Sequence, residues 1–213
     1  MLKENRRTLI ITSIVIILPV FAGLLLWDRL PDPMATHFGL DNQANGYMGK
    51  ALAVFGIPAF MLLLHWFAAF VTAHDPRRQN ITRKMFTFVL WLVPLISMYA
   101  VVMIYTANLG IKTDITFISE ILMGIMFIVI GNYLPKARRN YTIGIKIPWT
   151  LDNEENWNRT HRLGGYLWVV CGFLMLMAAF TGIFPDYVMF VLLAVMVLVP
   201  AVYSWLLHVK HGL

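Results

Sequence analysis

The chain has 213 residues, of which 59% are hydrophobic and only 13% charged, with a mean hydropathy of +0.70. A water-soluble domain carries about 25% charged residues to solvate its surface, so the composition excludes an ordinary soluble domain and points to a membrane protein. A net charge of +6 would suit a nucleic-acid binder, but the placement of the charges, set out below, argues against it. The single cysteine, Cys171, lies in an apolar run, which excludes an intramolecular disulfide and any C-x-x-C motif; it reads as a small core residue.

A bilayer core of about 30 Å needs about 20 apolar residues in a helix, and six runs meet or approach that. The first, residues 8–27, follows "MLKENRR" and has no A-x-A cleavage site behind it, so it reads as a retained span rather than a signal peptide. The second covers 51–72, the third 85–106, the fourth 115–134 with Glu120 near its start, the fifth 163–184 and the sixth 188–207, with Pro185 and Asp186 as the turn between the last two. Pro19, Pro58, Pro94 and Pro200 fall inside spans, where kinks are expected. Gly124 and Gly131, and likewise Gly165 and Gly172, are spaced by seven and put small residues on one helix face, the pattern of close helix packing. The expected architecture is all-α: one polytopic membrane domain over 1–213 with six transmembrane helices.

Lys and Arg are held preferentially on the cytoplasmic side. Fourteen of the seventeen lie in the N-terminus, the second-to-third loop, the fourth-to-fifth loop and the tail, against Arg29, Lys50 and Lys112 elsewhere. Both termini are therefore expected in the cytoplasm. Basic residues spread in this way are a topology signal with anionic lipid headgroups as sufficient partners, and direct nucleic-acid binding is not expected. The N-x-T sequons at Asn80, Asn140 and Asn158 fall on the same side and read as chance matches.

Two loops are more than connectors. Residues 28–50, "DRLPDPMATHFGLDNQANGYMGK", hold two prolines and three glycines among Asp, Asn and Gln, and read as an ordered external loop with tight reversals at "PDP" and "ANGY". His37 and Asp41 are four apart, but without a helix or a third ligand they make a poor metal site, and no metal is assigned. In the loop 135–162, Ile143, Ile145 and Ile147 alternate with Thr142, Gly144 and Lys146, the period of a strand, and Pro148 biases Ile147 to extended backbone and ends the segment. A short helix should follow, with Thr150 or Asp152 as N-cap and Glu154 and Glu155 in its first turn. Trp157, His161 and Gly164 would share one face of it. Trp149, Trp157 and Trp168 suit an interfacial aromatic belt.

The stretch "GNYLPKARRNYTIGIKIPWTLDNEENWNRTHRLGGYLWVVCGF" resembles the signature of the SdpI family of bacterial membrane proteins. Gly131, Asn132, Asn140, Ile143, Gly144, Lys146, Pro148, Trp149, Thr150, Leu151, Trp157 and Gly172 carry the match, within a signature region over 115–207. The loop "LPDPMATHFG…NGYMGK" resembles the DUF1648 segment that begins many members, through Pro31, Pro33, His37, Gly39, Gly46 and Lys50, in a helical hairpin over 8–72. Lys146-Ile147-Pro148-Trp149 stands where the family pattern suggests R-T-P-W, so a guanidinium fork is replaced by a point charge.

The resemblance implies immunity to a secreted antimicrobial peptide toxin in a Gram-positive cell membrane, with capture of a cytoplasmic transcriptional repressor by the toxin-occupied protein. It implies external candidates Pro33, His37, Gly46 and Lys50. On the inner face it implies Asn132, Asn140, Gly144, Lys146, Pro148, Trp149, Thr150, Trp157, His161 and Arg162. A small transporter, channel or sensor for another membrane-active ligand is the alternative, and would draw on His65 and Glu120 within the spans. Catalysis is not expected, because H-E-x-x-H is absent and His161 with Glu154 or Glu155 forms no known constellation; no cofactor is assigned.

Overall fold

The computed structural model describes residues 1–182 and 187–213. Among them are seven α-helices: α1 (Arg6–Leu25), α2 (Ile57–Ala73), α3 (Arg83–Asn108), α4 (Ile115–Tyr133), α5 (Pro148–Asp152), α6 (Glu154–Thr181) and α7 (Tyr187–His211). A two-stranded antiparallel hairpin, β1 (Met34–Phe38) and β2 (Ala44–Met48), lies between α1 and α2. Six helices are long and apolar enough to cross a membrane, all but the short α5. The expected turn at Pro185 and Asp186 lies outside the described residues. The chain divides into two compact units, one of Met1–His74 with Arg83–Thr116 and one of Asp75–Thr82 with Phe117–Leu213.

In the first unit α1, α2 and α3 pack together with large apolar side chains such as Ile14, Phe21, Phe60 and Leu63 exposed on the outside. Polar groups point inward: the Thr12 hydroxyl is 3.0 Å from His65 Nε2, with both residues buried. This is the inverse of a soluble bundle and what a lipid surround selects, since outward apolar groups need no water and inward polar ones need partners. Pro19 and Pro94 sit inside α1 and α3, and Pro58, although second in α2, also lies inside its span, because the helical run continues back through a π-helical turn at Leu52–Gly56 that contains the residue four before it.

The loop 28–50, expected to be turns, is largely the hairpin. Its reversal falls at residues 39–43, where Asn42 has φ +60°, and not at "ANGY", which forms β2. Met34 is fully buried in a cluster with Leu30, Val54, Val101, Ile104 and Tyr105 and seats the hairpin on the helix ends. Asn108 at the end of α3 acts as a surrogate strand, accepting from the Ala35 amide and donating to the Ala35 carbonyl, each at 2.8 Å. At the tip, the Asn42 amide oxygen accepts from the Thr116 amide at 2.9 Å and so satisfies one of the open amides at the start of α4.

In the second unit α6 packs on α7 around Cys171, Met175 and Met196, with the Trp168 indole donating to the Met196 carbonyl at 3.0 Å. The four glycines meet in reciprocal pairs. A Cβ on Gly124 would lie 3.0 Å from the Gly172 carbonyl and one on Gly172 2.7 Å from the Gly124 carbonyl; Gly131 and Gly165 repeat the relation at 2.8 and 2.7 Å. Asn156 and Ser204 form a buried polar clasp between α6 and α7, in which the Asn156 amide donates to the Ser204 carbonyl at 2.9 Å and accepts from its hydroxyl at 2.6 Å.

Candidate functional site

The segment before α6 is an ordered polar loop built on Asn140, a residue that is 1% exposed. The Asn140 carboxamide accepts from the amides of Thr142 at 2.9 Å and Ile143 at 2.7 Å, and donates to the carbonyls of Arg138 at 2.8 Å and Ile143 at 3.1 Å. This Asx-type bonding competes with the strand that the isoleucine alternation suggested, and it wins. Residues 141–144 are a run of bends, and Gly144 sits at φ +118°, open to glycine at little cost. Only the end of the expected extended segment is found: Ile147 has φ −119° and ψ 159°, and Pro148 then starts α5.

Thr150 is fully buried as the third residue of α5, where its hydroxyl accepts from the Ile147 amide at 3.1 Å and lies 2.8 Å from the Ile145 carbonyl. The N-cap of α6 is Asn153, not Thr150 or Asp152; its side chain accepts from the amides of Glu155 and Asn156 at 2.8 and 3.0 Å. Glu154 and Glu155 do occupy the first turn. Instead of a separate short helix feeding the fifth span, α6 runs 28 residues without a break.

Trp157, His161 and Gly164 share the buried face of α6 as their spacing requires. The Trp157 and His161 rings stack with centroids 3.9 Å apart, and the indole donates to the Ala137 carbonyl at 2.7 Å. Trp157 is therefore fully buried rather than part of an aromatic belt. His161 Nδ1 lies 2.8 Å from the Trp157 carbonyl and Nε2 lies 2.9 Å from the Ile145 amide. A carbonyl only accepts and an amide only donates, so Nδ1 carries the hydrogen and Nε2 the lone pair, and this bonding requires neutral His161.

Asp75, not singled out from the sequence, joins the loop from between α2 and α3. It is 2% exposed, and its carboxylate accepts from the Arg77 amide at 2.7 Å and from the Tyr141 amide and Thr142 hydroxyl at 2.9 Å each. The Arg77 guanidinium lies 5.0 Å from the Tyr141 ring centroid, and the Asn80 amide donates to the Arg139 carbonyl at 2.7 Å. Arg77 thus belongs to this site as well as to the basic second-to-third loop. The "DP" after α2 was a visible turn signal; its acceptor role for residue 141 was not.

The remaining candidates are spread more widely. Lys146 is exposed and donates to the Thr142 carbonyl at 2.9 Å, Pro148 is exposed, and the Trp149 ring is 6.2 Å from that of His208 on α7. Asn132 is exposed on α4, away from the loop's bonding, and Arg162 is exposed one residue beyond His161. In the hairpin, Gly46 faces His37 so closely that a Cβ would lie 2.8 Å from the His37 Cβ, while His37 Nδ1 engages Asn45. The Asp41 carboxylate turns to the Gln43 amide at 3.0 Å, so His37 and Asp41 do not converge. Lys50 donates to the Trp27 carbonyl at 3.0 Å and its ammonium is 5.2 Å from the Trp27 ring, and Pro33 is exposed behind a cis Asp32–Pro33 bond. Among the described residues, no three His, Cys, Asp or Glu side chains gather in a way that would hold a metal.

Six apolar spans, lipid-compatible outer faces and polar groups clasped inside define a polytopic helical membrane protein. Residues 136–204, which include the Asn140 loop, match the SdpI/YfhL protein family, and residues 14–62, which include the hairpin, match a domain of unknown function, DUF1648. Immunity protein SdpI of Bacillus subtilis (strain 168) is 25% identical over 205 residues, 96% of this chain and 95% of that protein. No solved structure matches. The chain is thus a multi-pass protein of a bacterial cell membrane with a segment similar to the SdpI/YfhL family behind one similar to DUF1648.

Proposed function

We propose that the protein confers immunity to a secreted antimicrobial peptide toxin, with both termini in the cytoplasm, the hairpin of β1 and β2 facing outward and the Asn140 loop facing inward. The observation that carries this reading is the end-to-end alignment with Immunity protein SdpI, in which neither chain leaves a domain uncovered. The hairpin suits a contact surface because its backbone is tied to α3 and α4 while His37, Leu40 and Tyr47 stay exposed. The Asn140 loop suits a second, cytoplasmic contact surface: its own polar groups are bonded, and it offers Tyr141, Lys146 and Pro148 outward. A transcriptional repressor is the partner proposed for that face. The alternative of a transporter, channel or sensor is favoured by one observation, the buried His65, whose Nδ1 has no hydrogen-bond partner.

The deciding experiment is survival of a sensitive Gram-positive cell that expresses the chain, challenged with a secreted killing peptide beside an empty vector. Protection is the expected result. Killing at the empty-vector dose, with the protein shown to be inserted, would overturn the immunity reading.

A further inference from the structure

A feature that shares only Arg162 with the candidate surfaces lies where α6 leaves its polar first turns. Arg159, Arg162, Leu163 and Tyr166 fall at i, i+3, i+4 and i+7 on one face of α6 and, with Tyr203 of α7, line a groove of about 700 Å³. Leu163 and Tyr203 also line a second hollow, continued by Leu198, Val199, Val202 and Leu206. The two hollows are therefore adjacent across Leu163 and Tyr203, the first basic and the second apolar. Tyr203 is level with the start of the apolar run at Leu163, and Leu198 and Val199 lie about 6 to 8 Å further along α7 at 1.5 Å per residue.

Charge and depth together select the occupant. Glu155 pairs with Arg159, and among the described residues no carboxylate forms an ion pair with Arg162. The net positive charge therefore sits at Arg162, where α6 passes from polar to apolar sequence, the depth at which a bilayer around this span would place its phosphates. A basic pocket between transmembrane helices is a phospholipid-headgroup site when an apolar furrow leads from it into the hydrocarbon.

We propose that the second unit binds one anionic phospholipid, with its phosphate diester held by Arg162 and Arg159 and one acyl chain laid along Leu163, Leu198, Val199 and Val202. The site does not depend on the immunity reading.

The test uses the full chain, purified and delipidated in a maltoside detergent, with lipid binding read by native mass spectrometry and by the thermal midpoint. Phosphatidylglycerol should bind one per chain and raise the midpoint, while phosphatidylcholine should not. R159Q/R162Q should weaken phosphatidylglycerol binding at least tenfold while leaving the lipid-free midpoint unchanged. V202W, which fills the furrow, should weaken it as well, and R138Q, another exposed arginine of the same unit, should have no effect. Equal binding by wild type and R159Q/R162Q overturns the proposal, as does equal binding of phosphatidylcholine. Soluble glycerophosphoglycerol raising the midpoint as much as phosphatidylglycerol would make this a phosphate-ester site and overturn the lipid assignment.

Discussion

Replacing Asn140 by alanine tests whether one buried carboxamide organises the loop before α6. The substitution removes two acceptor bonds to the Thr142 and Ile143 amides and two donor bonds to the Arg138 and Ile143 carbonyls. The Thr142 hydroxyl keeps the Asp75 carboxylate, so its weaker 3.3 Å contact with Asn140 adds little. Residues 142 and 143 are half-buried, so water reaches the orphaned groups in part. About 1 kcal/mol for each amide and about half of that for each carbonyl give a local cost of about 3 kcal/mol. At 1.4 kcal/mol per decade the open population of the loop should rise roughly a hundredfold. Hydrogen exchange on the purified protein reads this directly: peptides covering 138–147 should lose about two decades of protection, while those from the middle of α6 and α7 should not change. A loss under threefold would show that Asp75 and Thr150 hold the loop without Asn140 and would refute the assignment.

Gly144→Ala should destabilise the loop by about 2 kcal/mol, because the position has φ +118° and a Cβ there would overlap His161 Nε2; altered Trp157 fluorescence, reporting a displaced His161, would check it. Asp75→Asn exchanges one acceptor oxygen for a donor among an amide at 2.7 Å and an amide and a hydroxyl at 2.9 Å, and should lower the thermal midpoint in detergent by an amount corresponding to about 1–3 kcal/mol. An unchanged midpoint would remove Asp75 from the site. Trp149→Ala, Lys146→Ala and Arg77→Ala, whose guanidinium covers Tyr141, should each impair protection or signalling at matched expression; full function in all three would dismiss the loop as a contact surface. His37→Ala should weaken toxin protection with insertion intact, since the side chain is exposed on a hairpin held by other residues; full protection would make it scaffolding.

The six spans were legible because a lipid surround imposes a simple rule of length and polarity, and α2, α3 and α4 begin or end within a few residues of the apolar runs. The hairpin was not, because "MATHF" and "ANGYM" carry no clean alternation and β1 is completed by Asn108, 73 residues away in the chain. The reverse error arose at Ile143, Ile145 and Ile147. A genuine period of two was overridden by Asn140 and by Asp75, a residue 66 positions before the amide it accepts from. The shared face of Trp157, His161 and Gly164 followed from helix geometry alone, whereas the burial of Trp157 depends on a carbonyl at Ala137 that no spacing could supply. What local periodicity encodes could be read; what a distant polar atom decides could not.

The paired glycines set a mechanical constraint on α4 and α6. Positions 124 and 172 add to the same total as 131 and 165, so these antiparallel helices mesh at two points of one register. Sliding by a single residue would bring side chains against backbone at both points. The next register that again apposes two of these glycines is seven residues away, about 10 Å of travel at 1.5 Å per residue. A piston stroke between this pair is thus blocked like a cog against its rack, and any displacement transmitted along α6 must take α4 with it as a joined lever, by tilt or rotation.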